Sequence, residues 1–211
     1  MTILQNLCYN KPANKKTKGI KMNNTTTVKN RPQNKTRDMV YISFFAIVIA
    51  IGSWISIPTM IPFTLQTFAV FITVGILGGK RGAAAVSLYI LLGVVGIPVF
   101  AGFKGGIGVL LGNTGGYILG FLLTVLVMWG IEKLFGKKTV TLFFSMILGL
   151  IVCYAFGTAW FITVYMRTSG NIGVMTVLSW CVIPFILPDL VKIALAILVS
   201  KRVSRYTKIE N

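Results

Sequence analysis

The chain has 211 residues and a net charge of +17, with 55% hydrophobic residues and only 12% charged ones, about half the roughly 25% typical of a soluble domain. Its acids are Asp38, Glu132, Asp189 and Glu210, and it has no histidine, which removes serine–histidine and cysteine–histidine catalysis and imidazole proton relays. Nine of its 21 lysines and arginines lie in the first 38 residues and most others flank apolar runs, a pattern that argues against nucleic acid and for charge held on one side of a membrane.

Residues 1–38 are rich in Asn, Thr and Lys without apolar periodicity and are expected to form a disordered basic tail on the cytoplasmic side. No apolar segment precedes its lysines, so it does not read as a signal peptide. Runs 39–79, 82–103, 105–131, 139–166 and 168–188 then contain no charged residue at all. A helical span needs roughly 20 apolar residues, so each run holds at least one, and the fold class is an all-α integral membrane protein.

Pro58 and Pro62 divide the first run, because proline breaks an interior helical hydrogen bond. Six transmembrane helices follow: 39–57, 66–79, 82–97, 107–131, 139–165 and a last one starting near Leu187, with partly embedded outer loops. The membrane domain spans 39–203, and 204–211 form a short C-terminal tail. With six spans, one side collects 18 lysines and arginines and the other holds Lys104 and Arg167. The positive-inside rule then places both termini in the cytoplasm of a cell membrane.

The three cysteines, Cys8, Cys153 and Cys181, are too scattered for a disulfide framework or a metal motif. Neither "GGKRG" (78–82) nor "FGKKT" (135–139) has the upstream glycine of a phosphate-binding loop. Any uphill work must therefore draw on an ion gradient or on another subunit. A gradient usually leaves several intramembrane acids, and only Asp189 is available.

Two features ask for a small-molecule site. "PVFAGFKGGIGVLLGNTGGY" (98–117) puts seven glycines around the lone cation Lys104. Those from Gly112 onward read as helix-packing contacts, whereas Gly102, Gly105 and Gly106 precede the span and suit close backbone approach to a ligand. In "LPDLVKIALAILV" (187–199), Asp189 and Lys192 are three apart, so they share a helical face. Each charge costs about 2.5–3.5 kcal/mol near a bilayer centre. A helix beginning at Pro188 would put Asp189 in its first turn, near the outer face. On the residues alone, a proton-coupled carrier using Asp189 and a scaffold locked by the pair remain alternatives. Ala46 and Ala50 form a small-xxx-small face in the first span that lets another helix approach.

"TLQTFAV", "LLGVVGIPVFAGFKGGIGVLLGNTGGYILGF" and "PDLVKIALA" together resemble the BioY family, the biotin-binding S components of energy-coupling factor (ECF) transporters, over residues 39–203. The resemblance implies a vitamin pocket near the outer face. It implies as partners a transmembrane T component and two ATPases, and biotin as transported ligand with no cofactor. It places Asp189 and Lys192 in the biotin site, with Lys104 as a further donor and Trp54, Phe68, Phe100 and Tyr117 as candidates for the apolar wall. Thr64 and Gln66 would line or lid it, beside Gly105 and Gly106. It also implies that Ala46 and Ala50 dock the T component.

Overall fold

The computed structural model describes residues 35–59, 61–170 and 173–206, all within the compact unit Asn34–Asn211. The predicted tail, apart from its last four residues, lies outside them, as do the final five residues of the chain. In order the elements are α1 (Lys35–Trp54), β1 (Ser56–Ile57), β2 (Phe63–Thr64), α2 (Gln66–Leu77), α3 (Gly79–Val94), α4 (Ile107–Leu111), α5 (Gly115–Phe135), α6 (Thr139–Ser169), α7 (Val174–Cys181) and α8 (Ile183–Tyr206).

Each predicted apolar run carries at least one helix. Four stretches, α1, α5, α6 and α7–α8 together, are long and apolar enough to cross a membrane among the described residues, and α2 is a shorter apolar helix. The outward faces carry large apolar side chains such as Phe44, Leu91, Leu148, Ile151 and Leu198. An apolar surface on that scale needs a covering, and lipid supplies it.

Several boundaries depart from expectation. The first helix begins at Lys35, so residues 35–38 belong to it, and Asp38 pairs with Arg81 at the head of α3 at 3.1 Å. The loop containing Pro58 and Pro62 holds a two-stranded antiparallel ladder pairing Ser56 with Thr64 and Ile57 with Phe63. The fourth span is broken: α4 stops at Leu111 and α5 starts at Gly115, whose Cα lies against the Leu110 carbonyl, where no side chain fits.

The last helix requires the largest correction. It starts at Ile183, with Pro184 in its first turn and Pro188 inside it. Proline fits the first turn because no intrahelical acceptor is lost there, and α7 and α8 meet at Val182. Asp189 therefore sits in the second turn, beyond the reach of the helix N-terminal N–H groups, and needs side-chain partners instead.

Ala46 and Ala50, 1% and 5% exposed, pack within the chain's own core. What α1 turns outward is Phe44, Ile47 and Ile51.

The core runs through the bundle as Ile49, Val70, Phe71, Val86, Tyr89, Val125, Met128, Phe161 and Ile193. Helices α5 and α6 interlock through small residues. Gly116 faces the Trp160 ring, Gly120 faces Cys153, and Gly157 receives the Tyr117 ring. This is the close-approach packing that membrane helices use where lipid removes the hydrophobic drive to associate. Trp160 also donates its indole N–H to the Gly112 carbonyl at 3.1 Å, which ties the α4–α5 break to α6.

Candidate functional site

Alternating helices bring the β1–β2 loop, the 95–106 loop, the start of α5 and the first turns of α8 to one end of the bundle, around a single cavity. Its key residues are Asp189 and Lys192, 2% and 5% exposed. Lys192 Nζ donates to Asp189 Oδ1 at 2.8 Å and to the Thr64 carbonyl at 2.7 Å, and it lies 4.3 Å from the centre of the Phe63 ring. The Tyr154 hydroxyl donates to Asp189 Oδ2 at 2.6 Å. An ammonium has three donors and each carboxylate oxygen two lone pairs. The lysine is thus fully occupied by its carboxylate, a carbonyl and a ring face, while Asp189 keeps one accepting direction on each oxygen. Desolvating two such charges is expensive, and these contacts offset the cost.

Local structure explains how the pair is held. The ladder lays Phe63 and Thr64 across the mouth, and Phe63 stacks on Phe185 of α8 with ring centres 5.7 Å apart. Gln66, at the head of α2, donates its backbone N–H to the Thr64 hydroxyl oxygen at 3.2 Å and its side-chain amide to the Tyr89 hydroxyl at 3.0 Å. Across the cavity, Phe100 and Lys104 pair through their backbones. The turn between them carries Gly102 at φ 71° and Phe103 at φ 57°, left-handed positions that reverse the chain within five residues. The Lys104 side chain is exposed at the cavity rim and has no ion-pair partner among the described residues. The Tyr117 ring lines the wall and its hydroxyl shares a hydrogen bond with Thr158 at 3.0 Å.

Seven residues singled out from the sequence therefore converge on one cavity: Thr64, Gln66, Phe100, Lys104, Tyr117, Asp189 and Lys192. Four others do not line it. Trp54 donates to the Pro98 carbonyl at 2.9 Å and stacks on Phe103, bracing the loop from outside. Phe68 packs, partly buried, against the core. Gly105 lies where a side chain would meet the Ile97 carbonyl at 2.5 Å. Gly106 adopts φ 95° and donates its N–H to the Gly93 carbonyl at 2.7 Å, so both glycines shape the loop behind the wall.

Sequence reasoning missed Phe63, Tyr154 and Phe185. Tyr154 left a usable signal: a phenol in the middle of an apolar span must find a partner for its O–H, and Asp189 is the one acid within the membrane.

Residues 22–209 match the BioY family. The chain is 39% identical over 172 residues to the biotin transporter BioY of Thermotoga maritima, an alignment covering 80% of this chain and 96% of that one. It is 34% identical to a probable biotin transporter BioY of Pyrococcus horikoshii, covering 82% and 99%. Its fold superposes with a TM-score of 0.73 and 26% identity on the crystal structure of the S-component for biotin from an ECF-type ABC transporter, over 83% of this chain and 94% of that one. The chain belongs to the BioY family.

Proposed function

We propose that this multi-pass membrane protein is the biotin-specific S component of an ECF-type ABC transporter, and that biotin occupies the cavity around Asp189 and Lys192. It is a transport subunit rather than an enzyme. The observation that carries the site is a fully buried acid–base pair lining a cavity where two loops and a broken helix converge. Biotin's ureido N–H groups need acceptors, and Asp189 retains one accepting direction on each carboxylate oxygen. Its ureido oxygen and its carboxylate need donors. Lys192 can turn from the Thr64 carbonyl toward the former, and Lys104 at the rim can meet the latter as a charge-assisted bond. The bicyclic ring and aliphatic tail need an oily wall, which Phe100, Tyr117, Phe121 and Phe185 provide.

The chain carries no nucleotide-binding loop of its own, so delivery across the membrane draws on partners: a transmembrane T component and two ATPases. The division of 18 basic residues against two across the predicted loops puts both termini in the cytoplasm and opens the cavity to the outside. Equilibrium binding of biotin to the purified protein tests the assignment. Asp189→Asn is expected to weaken binding by about tenfold or more, the scale of a charge-assisted hydrogen bond at about 1.5–3 kcal/mol. Undiminished affinity in that variant would remove Asp189 from the site, and no biotin binding by the wild-type protein would overturn the function.

A further inference from the structure

At the opposite end of the bundle a second cavity lies between the last turns of α2, α5 and α8 and the first turn of α6. Three lysines border it, Lys137, Lys138 and Lys201. One carboxylate stands against them, Glu132, and both its oxygens are engaged: Oε1 with Lys137 Nζ at 3.2 Å and Oε2 with the Gly79 N–H at 2.5 Å. The cavity therefore keeps a positive excess. To this α6 adds its N-terminus. The first turn of a helix has N–H groups with no intrahelical acceptor and a positive dipole end, and no side chain caps this one.

A second observation points to a ligand. Ser200 is 2% exposed, and its Oγ is a buried side-chain oxygen without a hydrogen-bond partner among the described residues. It lines this cavity and packs against Gly75, where a side chain would overlap it. Serines elsewhere in these helices bond back to their own helix, as Ser145 does to the Leu142 carbonyl and Ser179 to that of Met175. Ser200 does not, and its Oγ sits against Gly75 at the cavity wall with its hydrogen-bonding capacity unused.

We propose that this cavity binds a phosphate group. A phosphate offers several acceptor oxygens at once, enough to take the α6 N–H groups, Lys138, Lys201 and the Ser200 hydroxyl together. The chemistry is common to the phosphodiester of an anionic lipid and to free phosphate. Exposed Val140 and Phe144 near the head of α6 place the site where apolar helix surface begins, beside lipid headgroups. The site is separate from the biotin cavity and does not depend on it.

The test is the melting temperature of the full-length protein in detergent, with added phosphatidylglycerol, phosphatidylcholine or inorganic phosphate. Phosphatidylglycerol is expected to raise it several degrees above phosphatidylcholine. The double variant Lys138→Gln, Lys201→Gln is expected to lose that extra rise and Ser200→Ala to shrink it, while biotin affinity, the check on folding, stays unchanged in both. The charge-matched control Lys15→Gln, Lys16→Gln is expected to keep the full rise. A matching rise with inorganic phosphate alone assigns the site to the free anion, and none assigns it to the headgroup. Equal effects of the two lipids with no response to phosphate would overturn the proposal. So would equal loss in the control and the cavity variant, since that would reduce the effect to general surface charge.

Discussion

Each end of the bundle holds a lysine–carboxylate pair of similar chemistry in very different surroundings. Lys192 and Asp189 have side chains 7% and 3% exposed, whereas those of Lys137 and Glu132 are 45% and 20% exposed. The first pair is closed in by an aromatic ring, a phenol and a backbone carbonyl. The second sits among spare lysines beside a helix N-terminus. Burial decides what each pair is worth. A solvated pair gains little because water and salt screen it, while a buried pair repays its desolvation only when every partner is present. The loop end of the molecule is therefore energetically committed to its charges, and the lysine end can accept a counter-ion from outside.

Lys192→Met should break this contrast most severely. It strands Asp189 in a dry site, and about 3–5 kcal/mol of stability should be lost, read from thermal or chemical unfolding in detergent. Adding Asp189→Leu to that variant is expected to recover most of the loss, because two apolar residues replace a buried pair at little net cost, while biotin titration shows binding still abolished. Recovery of binding along with stability would mean that the pair only locks helices.

A smaller effect isolates the contact the sequence concealed. Tyr154→Phe removes one hydrogen bond to a charged oxygen and should cost about 1.5–3 kcal/mol, with weaker biotin binding because Asp189 is less firmly oriented. An unchanged melting temperature and affinity would show Asp189 held by Lys192 alone. At the other end, Lys137→Gln is expected to change stability by about 0–1 kcal/mol, shrinking further at high salt. A loss as large as that of Lys192→Met would erase the distinction between the ends.

Much of the site was legible in the residues. Charges are so rare in this chain that Asp189 and Lys192 stood out three apart in an apolar run, and helical geometry alone put them on one face. The glycine-dense segment 98–117 divides where its glycines change use, with close packing at Gly116 as expected, while Gly102 and Gly106 supply the loop's positive-φ positions. The partners of the pair were harder to see. Phe63 and Tyr154 lie far from Asp189 along the chain, and a ring within an apolar run reads as core or lipid contact whatever it touches. Proline misled as well, since Pro188 looked like the start of a helix and lies inside one.

The sequence by itself determined that this is a helical membrane protein, which runs form its helices, and that one buried acid and one buried base share a face. Those conclusions follow from solvation: uncharged runs of that length are stable in lipid and intramembrane charges are costly. The tertiary structure alone decided which side chains complete the pair, that Trp54 and Phe68 stay outside the cavity wall, and that Ala46 and Ala50 turn inward. Those depend on the rotation and approach of helices distant in sequence, set by the interlocking of small and large side chains across seams such as α5–α6. No single segment encodes that geometry.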